Sequence, residues 1–580
     1  MHLTPEQKEI GKRNFYAAVG DSPTRRDFLK AGIAAGAIGG IGMGAMYFGY
    51  DKIADPVRVG IIGSGDEGNV LIGALNPDYV QVVAVADIRP YNIYRTFHGD
   101  WSSDNALRVR PGLMSKYGWK TEAEARKHVK VYSDRYQDLL EDSDVEAVII
   151  ALPLHLHDVA AIDAMRAGKH VLTEKLMAHS VGQCKDMGRV AAAEDKILAV
   201  GHQRHYSILY DNAVDTIKRG LLGDIHHIRA QWHRGNLPGR DSWSQPLPPP
   251  ADWDEEKLRS REAKDLYPLI SKWQSWTRKL GEVKRGGSMR EIELWQNRVD
   301  MLNAQIEDRM VNAADYGYHA KTLANGYERS PLEELIRWRL WTRTGGGLMA
   351  ELGSHQLDAA SIFISAQHED RKKVHPLSVS AVGGRHIFPL DRECDDHVYC
   401  TYEFPNAGYF KPGSDEIDDP NRKLVVTYSS INGNGFGGYG ETVMGTEGTL
   451  VLEKEADVML YKGSSTSTKV GVKESSGGPT LDTTASGDAP AAVAQAAMDG
   501  PVSRGYREEI EHWAWCIRNP SPENKPRCHP AVALADAVIA LTSNIAMEKQ
   551  TSIKFQPEWF DIDSDESPDI KPSVQVTKRA

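Results

Sequence analysis

Residues 57–75 read VRVGIIGSGDEGNVLIGAL. Val57 to Ile62 is largely apolar and β-branched, the composition of a parallel strand buried on both faces. Gly63, Gly65 and Gly68 then spell G-x-G-x-x-G, and a helical pattern opens at Asn69. In such a strand–turn–helix the first glycine makes the tight turn. The second lets backbone approach a pyrophosphate, and the third brings helix against strand. Free N–H groups at the helix start face the phosphates. A second strand, YVQVVAVAD, ends on Asp87, 19 residues beyond Gly68, where a ribose-binding carboxylate is expected. This order predicts a site for NAD. Asp87 would repel the 2′-phosphate of NADP, whereas Arg89 two residues later would soften that preference, so NADP stays open as the alternative.

The alternation continues through VEAVIIALP (145–153), KHVLTEK (169–175) and KILAVGHQRHY (196–206). Strands separated by helical stretches predict an α/β chain that begins with a Rossmann doubly wound parallel sheet over residues 55–205. From residue 206 to 550 the pattern changes. IHHIRAQWHRG, HPLSVSAVGG, DDHVYCTYEF, KLVVTYSSI and GTLVLEK alternate as strands of a C-terminal α+β domain with a large open mixed or antiparallel sheet. Charged, Trp-containing helical sequence at about 251–330 reads as an insertion capping the pocket. A low-complexity stretch within about 470–500 reads as a second insertion and mobile loop. Residues 551–580 read as an acidic, solvated tail.

Pro153-x-x-x-His157, then Glu174-Lys175-Leu176, then GHQRHYS (201–207) form an ordered set. With WRLWTRTGGGLMAELGSHQLDAASIFI (338–364), the set resembles the glucose–fructose oxidoreductase / inositol dehydrogenase (Gfo/Idh/MocA) family, and within it the branch carrying twin-arginine signals. The resemblance runs from Val57 to about Lys549. It implies that Gly63, Gly65, Gly68, Asp87, Pro153, His157, Glu174 and Lys175 hold the cofactor. The family's E-K-P is here Glu174-Lys175-Leu176, with the lysine kept. The resemblance also implies that His355 is the catalytic histidine, with Glu351 standing where the family commonly has aspartate. Read as an α-helix, Glu351, His355 and Asp358 at i, i+4 and i+7 share one face. Singly, Lys175 would be a surface lysine and His355 a core histidine; their joint order favours function.

The chemistry implied is oxidation of a secondary alcohol on a sugar, sugar derivative or polyol. His355 takes the hydroxyl proton, and Glu351 holds its other ring nitrogen. Lys175 stabilises developing alkoxide charge and, with its pKa depressed by the nicotinamide cation, is the alternative base. Gln203, Arg204, Tyr206, Arg339 and Asp358 are candidate substrate contacts, with domain-interface packing as the competing reading. WHRGNLPGRDSW (232–243) is a candidate rim loop. Relatives associate through the open C-terminal sheet, so a homo-oligomer is expected.

Charge and cysteine usage narrow the rest. A net charge of −11 over 580 residues argues against nucleic acid as a partner. Cys184, Cys394, Cys400, Cys516 and Cys528 form no C-x-x-C pair, and no metal site is expected. Cys394/Cys400 and Cys516/Cys528 are the pairs that an oxidising compartment would allow to bridge.

Ahead of the first strand lies PTRRDFLKAG (23–32), followed by a run without charge from Ala31 to Tyr50. Adjacent arginines before such a run are the address for twin-arginine export of folded proteins. Residues 1–54 are therefore read as that signal, with retention as an uncleaved membrane anchor open because no clear cleavage site precedes Asp51. Export of a folded domain to the periplasm explains how a dinucleotide enzyme leaves with its cofactor, and predicts that NAD is bound tightly and regenerated in place. One sugar is oxidised and another reduced, or a single substrate is oxidised transiently, which would serve epimerisation or glycoside cleavage. A non-catalytic NAD-binding sensor is the remaining alternative.

Overall fold

A computed structural model describes residues 3–20, 47–368, 373–483 and 504–575. The arginine pair Arg25–Arg26 and most of the low-complexity stretch lie outside the described residues. Six parallel strands form the first sheet: β1 (Val57–Ile62), β2 (Val80–Ala86), β3 (Lys130–Tyr132), β4 (Ala147–Ile150), β5 (His170–Glu174) and β6 (Leu198–Gly201). Their spatial order is β3-β2-β1-β4-β5-β6, with every pairing parallel. β4 and β6 are buried along their whole length because helices cover both faces. The strand order reverses between β1 and β4, which opens a crevice at their carboxyl ends.

The second sheet has eight strands. Asp457–Lys462, Gly448–Glu453, Tyr439–Gly445, Ile225–His233, Lys423–Ile431, His397–Pro405, Ser378–Gly384 and Ile553–Lys554 follow one another across it. Only the central pair, Lys423–Ile431 with Ile225–His233, runs parallel. Burial alternates strictly along Lys423–Ile431, so one face meets the core and the other is open. Helices Ser354–Ser365 and Pro530–Lys549 cover the buried face. On the open face Val382 and Tyr399 remain exposed.

Three segments depart from the domain limits expected from the sequence. The helix Tyr506–Arg518 buries Ile510, Trp513 and Ala514 against the first sheet, beside Val57, Val59 and Leu172. The Rossmann layer is thus completed by a helix far down the chain. The acidic tail is docked as well as solvated. The ammonium of buried Lys185 donates to the carbonyls of Glu558, Ser564 and Glu566, and Arg189 donates to those of Ile562, Ser564 and Val574. Two cations buried on a Rossmann helix need such acceptors, and the tail supplies them.

The third departure is at the start of the chain. Pro5–Gly20 is a helix seated on the edge strand Asp457–Lys462. Phe15, Ala18 and Val19 enter the main core, while Asn14 donates to Leu460 and Thr468 and accepts from Val470. Lys8 and Lys12 pair with Glu453 and Asp457. Past the undescribed stretch, Tyr50 donates to the Glu511 carboxylate at 2.9 Å. Residues 5–20 therefore belong to the fold. Phe15 is 1% exposed, so Phe15→Ala should cost about 3 kcal/mol of stability. Chemical denaturation checks this; an unchanged midpoint would mean the helix is not seated there.

All five cysteines are buried and free, so neither candidate bridge forms. The insertion folds as an antiparallel helix pair, Pro268–Gly286 and Met289–Glu307. The second helix is started by a capping box of Ser288 and Glu291. It packs on the Rossmann helix Pro90–His98, where Tyr94 donates to the Asn297 carbonyl at 3.2 Å.

Candidate active site

A cavity of about 590 Å³ fills the crevice at the switch point. Gly63, Gly65, Asp87, Pro153, Glu174 and Lys175 line it from the first domain. Tyr318, Arg339 and Glu351 close it from the second. The glycine turn is built as its spacing predicts. Gly63 has φ +85°, and a Cβ there would meet the Ala151 carbonyl oxygen at 2.5 Å. A Cβ on Gly68 would meet the Gly63 oxygen at 2.4 Å, so helix and strand require glycine at both places. At Gly65 the nearest atom to a Cβ would be Asn92 Nδ2 at 3.9 Å, which leaves open space over the backbone. That is the cradle a pyrophosphate needs, at the start of the helix Asp66–Ala74.

Two acids at the head of that helix passed unremarked in the sequence, and both oppose an anion there. Asp66 is neutralised: its carboxylate accepts from Arg95 at 2.6 Å. Burial works against its charge, but Arg95 and Arg110 outweigh burial and lower its pKa. Glu67 goes the other way. Burial raises its pKa despite the Lys175 and Arg339 charges. Glu174 is pushed up to about 8 by burial and by Glu67. The cradle therefore carries less negative charge than its formal composition.

Asp87 sits at the carboxyl end of β2, where its carboxylate accepts from the Ser64 N–H at 2.7 Å and the Arg89 N–H at 2.9 Å. His157 does not line the cavity. Its ring lies between the carbonyl oxygens of Leu176 and Leu152, 2.9 Å from each, and so braces the two loops that do. The Lys175–Leu176 peptide is cis, with leucine in the family's proline position.

Lys175 Nζ donates to the Glu351 carbonyl at 2.8 Å and lies 3.6 Å from the Glu351 carboxylate. The other carboxylate oxygen accepts from Arg339 Nε at 2.7 Å. Burial opposes ionisation of Glu351, yet Arg339 and Lys175 hold it at about 2. Glu351 thus orients Lys175 and Arg339, and the expected hydrogen bond from the His355 ring to the Glu351 carboxylate is not made. The reason is competition from two cations. In addition, Met349–Gly353 is a π-turn ahead of the α-helix, so the α-helical face shared by positions 351 and 355 does not apply.

His355 is 7% exposed, and its Nδ1 has no hydrogen-bond partner. Burial, followed by the charges of Lys175, Arg204 and His202, takes its pKa well below the usual histidine value. The imidazole is neutral at physiological pH. Trp232 packs near it, with ring centroids 5.8 Å apart.

The other substrate candidates divide. Arg339 lines the cavity. Arg204 is instead buried in ion pairs with Glu441 and Glu455, and its guanidinium holds the His355 carbonyl. The Tyr206 hydroxyl is taken up by His512 and the Arg527 N–H, while Gln203 reaches Tyr506. Asp358 lies behind His355 in a buried group with His202, His205 and Lys373. For these four the domain-interface reading describes the geometry, because each side chain is already held by at least one protein partner. His202, Asp358 and Asp536 also bring potential ligand atoms within 4.8 Å of one another, as do His205, Cys528 and Asp536. The Lys373 ammonium bridges Asp358 and Asp536 and supplies a positive charge there.

Arg234, within the rim loop singled out in the sequence, stacks between Trp232 and Trp243. Its guanidinium has no hydrogen-bond or ion-pair partner among the described residues, and its charge helps keep Glu351 ionised.

Residues 57–202 match the family model for the Gfo/Idh/MocA oxidoreductases, described as an NAD-binding Rossmann fold. The likeness is to that family's dinucleotide-binding domain and covers these residues alone. An uncharacterized oxidoreductase of Schizosaccharomyces pombe is 32% identical over 24% of the chain and 39% of its own length. A glycosyl hydrolase family 109 protein of Solibacter usitatus is 25% identical over 37% of the chain and 46% of its own length. For inositol 2-dehydrogenase 1 of Saccharopolyspora erythraea the figures are 28%, 29% and 43%. The chain thus spans less than half the length of these curated relatives. Among solved structures, the aldose-aldose oxidoreductase of Caulobacter crescentus, complexed with glycerol, is 14% identical over 86% of this chain and 100% of that one, with a TM-score of 0.46. The open backbone at Gly65, the carboxylate of Asp87 and the ammonium of Lys175, all on one cavity, fit the parts of a nicotinamide dinucleotide.

Proposed function

We propose that the chain is an exported enzyme that oxidises a secondary alcohol of a sugar, sugar derivative or polyol, using tightly bound NAD. The observation that carries this reading is one cavity lined by the glycine turn, Lys175 and Glu351, with His355 buried four residues beyond Glu351 and near enough for the Lys175 charge to disfavour its protonation. Bound in that cavity, nicotinamide supplies the hydride acceptor. The protein's part is proton handling and charge. His355 accepts the hydroxyl proton, favoured over Lys175 by its neutral state and its unpartnered Nδ1. Lys175, fixed by the Glu351 carbonyl, directs its ammonium at the oxygen where alkoxide charge develops. Glu351 keeps Lys175 and Arg339 in place. Arg234, between its two indoles, stands ready to orient polar groups of the substrate.

A panel of aldoses, polyols and sugar acids, read by nicotinamide absorbance in single turnover, tests this. At least one should change the absorbance. A panel with no change in any member, on protein shown to hold dinucleotide, would leave the sensor reading. A second catalytic reading is favoured by the relatives named glycosyl hydrolase family 109 proteins: transient oxidation and restoration at one carbon, serving glycoside cleavage or epimerisation without net redox change. Product analysis without added oxidant separates the two.

Export to the periplasm by the twin-arginine route rests on Arg25–Arg26 and the uncharged run behind them. Because Pro5–Gly20 is part of the fold, deleting the first 30 residues would disturb folding as well as export. Arg25→Lys with Arg26→Lys avoids that. The folded protein should then be found in the cytoplasm, whereas an unchanged distribution would refute the route. The open face carrying Val382 and Tyr399 supports assembly of subunits through the second sheet.

A further inference from the structure

Arg89 stands two residues beyond Asp87 and lines the same cavity. In that position a free guanidinium would reward a 2′-phosphate with charge-assisted hydrogen bonds and draw the site toward NADP. The guanidinium is not free. Its Nε donates to Asp308 Oδ2 at 2.9 Å, and its Nη2 lies 2.8 Å from the same oxygen. The other oxygen of Asp308 accepts from the Tyr91 N–H at 3.1 Å. One carboxylate therefore fixes both the arginine and the first turn of the helix Pro90–His98.

Asp308 belongs to the insertion, outside the residues that match the family model. It follows directly on the helix Met289–Glu307, which packs against Pro90–His98, so the packing of these two helices delivers the carboxylate. Its side chain is wholly buried, and that of Arg89 is 9% exposed. In such a setting neither charge is easily released, because a lone buried ion is costly.

We infer that the insertion sets coenzyme choice: Asp308 withholds Arg89 from the adenosine ribose, and the site takes dinucleotides with an unphosphorylated 2′-hydroxyl. Asp87 repels the phosphate, and Asp308 holds the guanidinium two residues away that would otherwise compensate; Arg135, also on the cavity wall, lies 4.0 Å from the Asp138 carboxylate. The inference rests on the reading of this cavity as a dinucleotide site.

Capture of nucleotide by the purified full-length protein tests it. The protein is incubated with equal NAD and NADP, washed and denatured, and the released nucleotides are quantified by mass spectrometry. Wild type should release NAD in large excess. Asp308→Ala, and Asp308→Asn with a milder packing change, should shift the ratio toward NADP by about tenfold or more. Adding Arg89→Met to either variant should reverse that shift, while Arg89→Met alone should leave the ratio as in wild type. A wild-type preference for NADP would overturn the inference while leaving the dinucleotide site intact. A loss of NADP capture in Arg89→Met alone, or an unchanged ratio in folded Asp308 variants, would do the same. If the Asp308 variants do not fold, the Arg89→Met ratio decides. Capture of neither nucleotide by folded wild type would overturn both this inference and the reading beneath it.

Discussion

Lys175→Ala should slow hydride transfer by about a thousandfold and leave the dinucleotide bound. Lys175 lines the cavity and is positioned by backbone as well as charge: its ammonium donates to the Glu351 carbonyl at 2.8 Å. Removing it leaves Glu351 paired with Arg339 at 2.7 Å, so no buried carboxylate is orphaned and the surrounding structure should survive. The glycine turn and Asp87 are untouched. Single-turnover absorbance at the nicotinamide band, together with the nucleotide released on denaturation, separates the two effects. A rate near that of wild type would remove Lys175 from the chemistry. Loss of nucleotide without loss of rate per bound nucleotide would make it a binding residue only.

His355→Asn should cost a comparable factor, about a hundredfold to ten-thousandfold, through loss of the proton acceptor. The wild-type pH profile gives an independent check. Burial, Lys175, Arg204 and His202 all disfavour the imidazolium, so the folded pKa lies well below the ordinary histidine value of 6.5. A base with a lowered pKa stays unprotonated as pH falls through 6.5. The rate constant kcat/KM should therefore hold its value across that point and decline only at more acidic pH. An acid limb centred near 6.5 that persists in His355→Asn would assign the proton to another group.

Much of the fold was legible because strong local patterns coincide with the tertiary structure. The apolar runs at Val57–Ile62, Ala147–Ile150 and Leu198–Gly201 are strands buried on both faces, so composition alone marks them. Gly63 and Gly68 are fixed by contacts within their own strand–turn–helix, which spacing encodes. The docking of Pro5–Gly20 and of the acidic tail was not legible. Their partners, the strand Asp457–Lys462 and the buried Lys185 and Arg189, lie hundreds of residues away. A polar helix ahead of an arginine pair and an uncharged run looks like part of the same segment until its acceptors are seen.

The site divides along the same line. Lys175 was readable from its place at a strand end. The partner of Glu351 was not, because i,i+4 reasoning presumes α-helix, and Met349–Gly353 winds as a π-turn with Arg339 nearby to claim the carboxylate. Arg204 and Asp358 carried the residue types of sugar ligands. Charged groups so deeply buried need fixed partners, and Glu441, Glu455, His205 and Lys373 are those partners. Asp308 had no sequence signal at all, since its role exists only where two helices from separate domains meet.

The most direct test is a crystal structure of the purified protein with NADH. The account predicts the pyrophosphate over Gly65, the adenosine ribose on Asp87, and the nicotinamide ring between Lys175 and His355. A dinucleotide bound with its nicotinamide turned away from those two side chains, or a cavity that admits none, would contradict it.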